Sequence, residues 1–336
     1  LVQDAAYESI LRSRRRDLHN SIGLQLERQS TDGQAVEPAL LAHHFEKAGE
    51  TQSAINQWET AAQEAIQSSA ELEAVRALQN AIRLNGTLGS SEALQLRELD
   101  LLLMLGSIQS ATAGYGSDAV LQTFERAVEL AKRSELPSLQ IRALVGYGTN
   151  LLNSLDRAEP VLREALRLAE ASKLPHEAVY CRSQLGICIY LQGRSDKSLD
   201  IRNEGFAAYQ PEGYHQHYIE DPGVLLDGYR GVDLAILGYG DQALHIKQAA
   251  IHAGSNNPNI SSRCFAFIIS TVFHCYRREG DLALQDAETA LAIANEHHFG
   301  FWMPHAALYE AWAQNLLGRG PERIDALRSN LRTLRD

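Results

Sequence analysis

The stretch ILGYGDQAL (Ile236–Leu244) sets two glycines between an apolar run and an alanine–leucine pair. Glycines ahead of a helix can wrap backbone amides around a phosphate. They can also end one helix so that the next folds back against it. No lysine follows Gly240, no strand-forming run precedes Gly238, and the sequence Gly-x-x-x-x-Gly-Lys-Ser/Thr occurs nowhere in the chain. The glycines therefore read as a turn between packed helices, and the residues around them set a register.

Counting from Gly238, small residues stand five and twelve positions on, at Ala243 and Ala250. The offsets recur after Gly49 (Ala54, Ala61), Ser69 (Ala74, Ala81), Asn153 (Ala158, Ala165) and Gly193 (Ser198, Gly205). Weaker copies begin at Tyr115 (Val120, Ala127), Gly280 (Gln285, Ala292) and Gly318. A small residue five after a turn lets the second helix approach the first, and another seven later keeps the same face thin. The glycines, and Asn153 in their place, are expected to supply the positive φ that closes the first helix. Upstream, Leu185-Gly186, Val145-Gly146 and Leu41-Ala42 occupy the eight- and seven-before places, and Phe45 and Tyr276 put an aromatic four before the anchor.

The bulk composition agrees with helix. Of 336 residues, 45 % are hydrophobic and only nine are proline, with no long alternating Val/Ile/Thr run to demand a sheet. Pro137 and Pro175 each open a segment of about four turns, and Asp221-Pro222 reads as an N-cap followed by a first-turn proline. Five helix pairs are expected from residue 137 to the end, with a loop over Leu84–Gln95 in a less regular first part.

A net charge of −11 argues against general nucleic-acid binding. Arg12–Arg16, with four arginines, reads as a solvated helix face, the alternative being a nucleotide or domain contact. No apolar run reaches the length of a membrane span. A chain that begins at Leu1 rather than Met implies a trimmed N-terminus. Cys181, Cys188, Cys264 and Cys275 form no Cys-x-x-Cys pair and read as buried small hydrophobes, which fits a reducing cytoplasm. His43-His44, His215/His217 and His297-His298 lack metal-ligand spacing; the pair in the polar 209–223 stretch is the best of them. No nucleophile elbow or activated cysteine is present, so the chain alone is expected to be non-enzymatic, with no cofactor. The dense aromatics Phe299, Phe301, Trp302, Tyr309 and Trp312 read as core, or else as a ligand-binding patch.

The Leu-Gly, aromatic, turn and spaced-alanine register resembles the tetratricopeptide repeat, although anchor spacings of 38–46 residues after the first exceed its usual 34. A HEAT-like array is the neighbouring possibility. The expected fold is an all-α superhelical solenoid of antiparallel helix pairs, less regular over 31–136 and regular over 137–336. Residues 1–30 stand apart from the repeat. With PALLAHHFEKAGE (Pro38–Glu50), DPGVLLDGYRGVDLAILGYGDQAL (Asp221–Leu244) and GFWMPHAALYEAWAQNLLGRG (Gly300–Gly320), they resemble the repeat regions of bacterial ATPase-linked class III adenylate/guanylate cyclases and ATP-dependent transcription regulators. That resemblance implies a cytoplasmic sensory or scaffolding arm, with residues 1–30 linking it to a preceding ATPase/winged-helix module. It implies a protein or peptide partner or neighbouring domains of the same polypeptide, and possible homo-oligomerisation. A small-molecule sensor or a structural oligomerisation arm are the other readings. Carrying the family's groove positions onto this chain gives Tyr147, Asn150, Tyr180, Tyr190, His274, Arg277, His305 and Trp312. The same positions before Gly238 are Leu225, Val232 and Ala235, which would interrupt or close the groove.

Overall fold

The computed structural model describes residues 7, 9–68, 70–151, 153–211, 220–297, 299–319 and 328. Ser69, His215, His217, His298 and nearly all of 320–336 lie outside the described residues. Among the described residues the chain is all-helical, with fifteen helices and no strand. It forms two compact units, residues 1–109 with 129–134 and residues 110–128 with 135–336.

The first unit contains α1 (Arg12–Thr31), α2 (Pro38–Ala48), α3 (Thr51–Gln67), α4 (Glu71–Asn85) and the start of α5 (Glu92–Ala113). The loop expected over Leu84–Gln95 is shorter, because α4 runs to Asn85 and α5 begins at Glu92. Gly49 takes φ 86° and ends α2, with its N–H bonded back to Glu46. Ala54, Ala62, Ala77 and Ala81 are buried with Leu41, Phe45, Ile55 and Leu78. Short side chains at these places let the helices close on each other, while the leucines and Phe45 supply most of the apolar area removed from water. Helix α1 lies on α2, where Gly23 leaves room for the Phe45 ring. Arg12, Arg14 and Arg16 on α1 are exposed.

The second unit holds α6 (Asp118–Ala131) up to Val128, then α7 (Pro137–Asn150) and α8 (Leu155–Ala171). It continues with α9 (Pro175–Leu191) and α10 (Ser195–Ala208), α11 (Pro222–Ile236) and α12 (Gly240–Ser255), α13 (Ile260–Tyr276) and α14 (Gly280–Glu296), and α15 (Trp302–Leu316). From α7 onward each helix packs on the next, and α9 also meets α11, α11 meets α13, and α13 meets α15. Those alternate contacts make the first helices of successive pairs a continuous layer, as stacked repeats require. Prolines 137, 175 and 222 sit at the first helical positions, where a missing N–H costs nothing. Asp221 caps α11 by accepting from the Gly223 N–H, and Asn259 does the same for α13 through Ser262.

Gly193 and Gly238 adopt φ 75° and 87°, and the small residues that follow them, Ser198 and Ala243, are fully buried. Ala158 and Ala165 are buried, as the register after Asn153 requires. One anchor read from the sequence needs correction. In the fourth pair the turn residue is Arg278, at φ 57°, rather than Gly280. Five and twelve residues beyond Arg278 stand Ala283 and Ala290, both fully buried, whereas Gln285 and Ala292 are exposed. The Arg278 backbone tolerates this conformation because its N–H bonds to Cys275 and the following Glu279 N–H bonds to His274, closing the helix end. With the anchor moved, the turns at 238, 278 and 318 are two equal steps of 40 residues.

Replacing Ala243 by phenylalanine forces a ring between α11 and α12, and the expected loss is about 1–3 kcal/mol. Urea melts of the variant check this; an unchanged midpoint would mean the close contact does not exist. All four cysteines are free and buried, and burial pushes the Cys264 and Cys275 thiols up to about 12, which leaves them unreactive. No described helix is long and apolar enough to cross a membrane.

Candidate functional site

A run of aromatic rings crosses the second unit from one first helix to the next. Tyr190 on α9 meets Tyr229 on α11 with ring centroids 5.2 Å apart. Tyr229 lies 5.8 Å from Phe265 on α13, and Phe265 5.8 Å from Trp302 on α15. Trp302 contacts Phe301 at 4.6 Å, and Phe301 contacts Tyr115 at 4.7 Å, in the turn that leads into α6. His305, one turn further along α15, packs on Phe301 at 4.5 Å. The Tyr190 and Tyr276 hydroxyls meet at 3.2 Å. Apart from the buried Phe265 and the exposed Tyr276, these side chains are half-buried. Rings with polar edges in such a position offer large contact area together with hydrogen-bonding groups.

Glu220 stands at this face, immediately before the α11 cap. The cap holds it firmly. Asp221 Oδ1 accepts from the Gly223 N–H and the Tyr209 hydroxyl, Oδ2 accepts from Asn257, and the Asp221 N–H donates to Ser262. Glu220 itself is 8 % exposed. Its Oε1 accepts from Ser261 Oγ at 2.8 Å, and Ser261 in turn accepts from Trp302 Nε1 at 3.1 Å. Burial pushes the Glu220 carboxyl up to about 7, and the two hydrogen-bonding side chains offset only part of that. Burial likewise raises the Tyr115 and Tyr229 hydroxyls, and the Glu220 charge adds to both.

Behind Tyr229 lies a sealed polar group. Arg202 comes from α10 and is 0 % exposed, with its guanidinium 4.5 Å from the Tyr229 ring centre. Its Nε donates to Ser198 Oγ at 3.0 Å and lies 3.3 Å from Oδ2 of Asp233, also 0 % exposed. Ser198 donates to the same Asp233 oxygen at 2.6 Å. Burial lowers the guanidinium and raises the carboxyl, each opposed by the partner's charge. Among the described residues the two terminal nitrogens of Arg202 find no acceptor.

The residues carried over from the family register separate into two groups. Tyr190 on α9 and His305 on α15 come to the aromatic face, whereas Tyr180 packs against the buried cluster around Ile141 and Leu185. Asn150 is buried and serves structure, its Oδ1 accepting from Ser110 and the Gly116 N–H while its Nδ2 donates to Gly146. Tyr147 bonds to Glu125 and Arg157, and Trp312 packs with Cys275, Ala283 and Leu284. His274 is buried against Glu279 and Asp286, and Arg277 pairs with Glu279. With the anchor at Arg278, the thirteen- and two-before positions become Phe265 and Tyr276, both in the aromatic group. Leu225 and Val232 are buried as the sequence suggests, yet α11 still contributes Tyr229 from another place on its surface. Phe301 and Trp302 belong to the face, and Phe299, Tyr309 and Trp302 itself pack against the buried cluster around Cys264 and Ala306.

Tyr115, Glu220 and Tyr229 escaped the sequence reading. An acid placed directly before an Asp-Pro cap was the available signal for Glu220; nothing local to Tyr115 announces a contact with Phe301. Elsewhere on the unit, open clefts lie beside Arg182 and Arg230. Arg182 pairs with Glu170 and Glu204, while Arg230 pairs with Asp227 and covers the Phe206 ring. In the first unit His19 Nδ1 lies 3.0 Å from His44 Nδ1, with His43 beside them. Burial and the neighbouring imidazoles lower both His19 and His44, and no metal-binding group forms among the described residues.

Comparison with known proteins identifies the fold. No family model matches the chain. An uncharacterized protein of Rhizobium meliloti (strain 1021) is 25 % identical over 251 residues, which are 73 % of this chain and 23 % of that protein. The chain thus spans about a quarter of the length of the curated relative it matches. Among solved structures, a Rap protein complexed with competence and sporulation factor superposes with a TM-score of 0.62 at 10 % identity, covering 99 % of this chain and 97 % of that one. The Rap conjugation gene regulator of plasmid pLS20, in complex with the Phr* peptide, gives 0.65 at 11 % identity over 96 % and 94 %. The apo quorum sensor NprR from B. thuringiensis gives 0.59 at 9 % identity over 99 % and 91 %. At these identities the likeness concerns the fold, an all-helical solenoid of tetratricopeptide-like pairs.

Proposed function

We propose that the aromatic face of the second unit binds a peptide segment, and that the chain is a non-catalytic regulatory arm of a larger signalling protein, a nucleotide cyclase or an ATPase. The run from Tyr190 through Tyr229, Phe265 and Trp302 to Phe301 carries this reading. It joins rings from four successive first helices, with Tyr190, Tyr229 and Trp302 part-exposed around the buried Phe265, so an extended chain laid across it meets anchors on three of them. Two structures of the same fold hold competence and sporulation factor and the Phr* peptide respectively. A relative in which the matched stretch is 23 % of the length suits an arm attached to other domains.

Titration with a random hexapeptide library, read by tryptophan fluorescence, tests the binding step. Tyr190→Ala is expected to weaken the selected peptides on the order of 10-fold or more, the usual cost of losing an aromatic anchor. Its melting temperature serves as the control for folding. Absence of binding by any pool, or equal affinity in the variant, sinks the assignment of this face.

A further inference from the structure

We propose that Glu220 is the recognition point for a cationic group, an ammonium or guanidinium, on the peptide bound at the aromatic face; this rests on the peptide-binding reading above. Among the described residues, four carboxylates are buried in the second unit: Glu220, Asp221, Asp227 and Asp233. Asp227 pairs with Arg230, and Asp233 with Arg202. Asp221 is engaged by a backbone N–H, a tyrosine hydroxyl and an asparagine amide. Glu220 has the Ser261 hydroxyl and the Trp302 indole as neutral partners and, among the described residues, no lysine, arginine or histidine partner. A carboxylate withdrawn from water without a counter-charge is costly, and proteins keep one chiefly where something arrives to pair with it.

The surroundings select the sign and shape of that partner. Trp302 is linked to the carboxylate through Ser261, the Glu220 charge is felt at the Tyr115 and Tyr229 hydroxyls, and aromatic ring faces attract cations while repelling anions. Ser261 fixes Oε1, and Trp302 fixes Ser261, so the carboxylate is aimed before any ligand arrives. Burial already pushes the acid up to about 7, the condition of a group still awaiting its counter-charge. Charge-assisted hydrogen bonds to such a pre-aimed carboxylate are short and strong.

A positional-scanning hexapeptide library tests the assignment on the whole chain. The wild type is expected to select Lys or Arg at one position. Glu220→Gln should lose that preference on the order of 10- to 100-fold, yet keep the affinity for neutral residues elsewhere in the peptide. Ser261→Ala should weaken the preference less, since it only loosens the carboxylate. A melting temperature for Glu220→Gln at or above wild type shows that the variant is folded. Selection of no cationic position, or selection that survives in Glu220→Gln, overturns the proposal. N-acetyl-lysine methylamide separates it from the broader reading. Glu220-dependent binding of that amine with no hexapeptide bound keeps the cation site and discards the peptide; binding of neither discards both.

Discussion

Alanine in place of Asp233 is expected to destabilise the second unit by about 3–5 kcal/mol, because it leaves the Arg202 guanidinium charged, buried and without an anionic partner. Arg202 is one of the largest fully enclosed side chains of the protein, and Gly186 makes room for it: a methyl group there would stand 2.9 Å from its guanidinium carbon. The remaining contacts, Ser198 and the Tyr229 ring, are neutral and cannot replace a charge. Removing both charges together, as Arg202→Met with Asp233→Leu, should recover most of the loss, since the attraction of a buried pair does little more than offset its own desolvation. Urea denaturation followed by fluorescence measures both variants. A loss under about 1 kcal/mol for Asp233→Ala would show that Arg202 finds water or another acceptor when its partner leaves.

The second large effect concerns pH. Unfolded, Glu220 titrates near 4.5, and in the folded protein burial lifts it to about 7. Between those values the folded state holds the proton more tightly, so this group makes stability fall as pH rises from about 4.5 through about 7, then level off. The displacement corresponds to about 3 kcal/mol. Around it, the Tyr115 and Tyr229 hydroxyls are pushed upward and stay neutral throughout that window. Glu220→Gln removes the dependence, so the variant should be close to wild type at pH 4.5 and more stable by up to that amount at pH 8. Parallel stability–pH curves for the two proteins would mean that Glu220 is solvated or already paired.

Much of the fold was legible because helix packing writes itself into residue size. A turn followed by small residues at five and twelve describes how closely two helices can lie, and Ala158, Ala165 and Ala243 are buried accordingly. Register failed where the backbone did something its side chain does not advertise. Arg278 takes a conformation usually left to glycine, with Gly280 standing two residues away as a decoy. That displacement pointed to His274 and Arg277, and away from Phe265 and Tyr276. The face itself was less legible for a different reason. Its members come from residues 115, 190, 229, 265 and 301–302, and their meeting depends on how successive pairs stack, which no local pattern encodes.

The contact between Tyr115 and Phe301 reaches beyond binding. A linear stack of repeats unravels from its ends, since a terminal pair has a neighbour on one side only. Here the turn that opens the second unit meets the start of α15, the last element in order among the described residues, and the two are 186 residues apart in the chain. Forming that grip closes a long loop, a slow step that arrives only after the local pairs have assembled. Once formed, it ties the start of α15 to the start of the unit. Unit 2 should therefore melt as one cooperative body rather than repeat by repeat, with α15 exchanging its amide hydrogens as slowly as the helices before it.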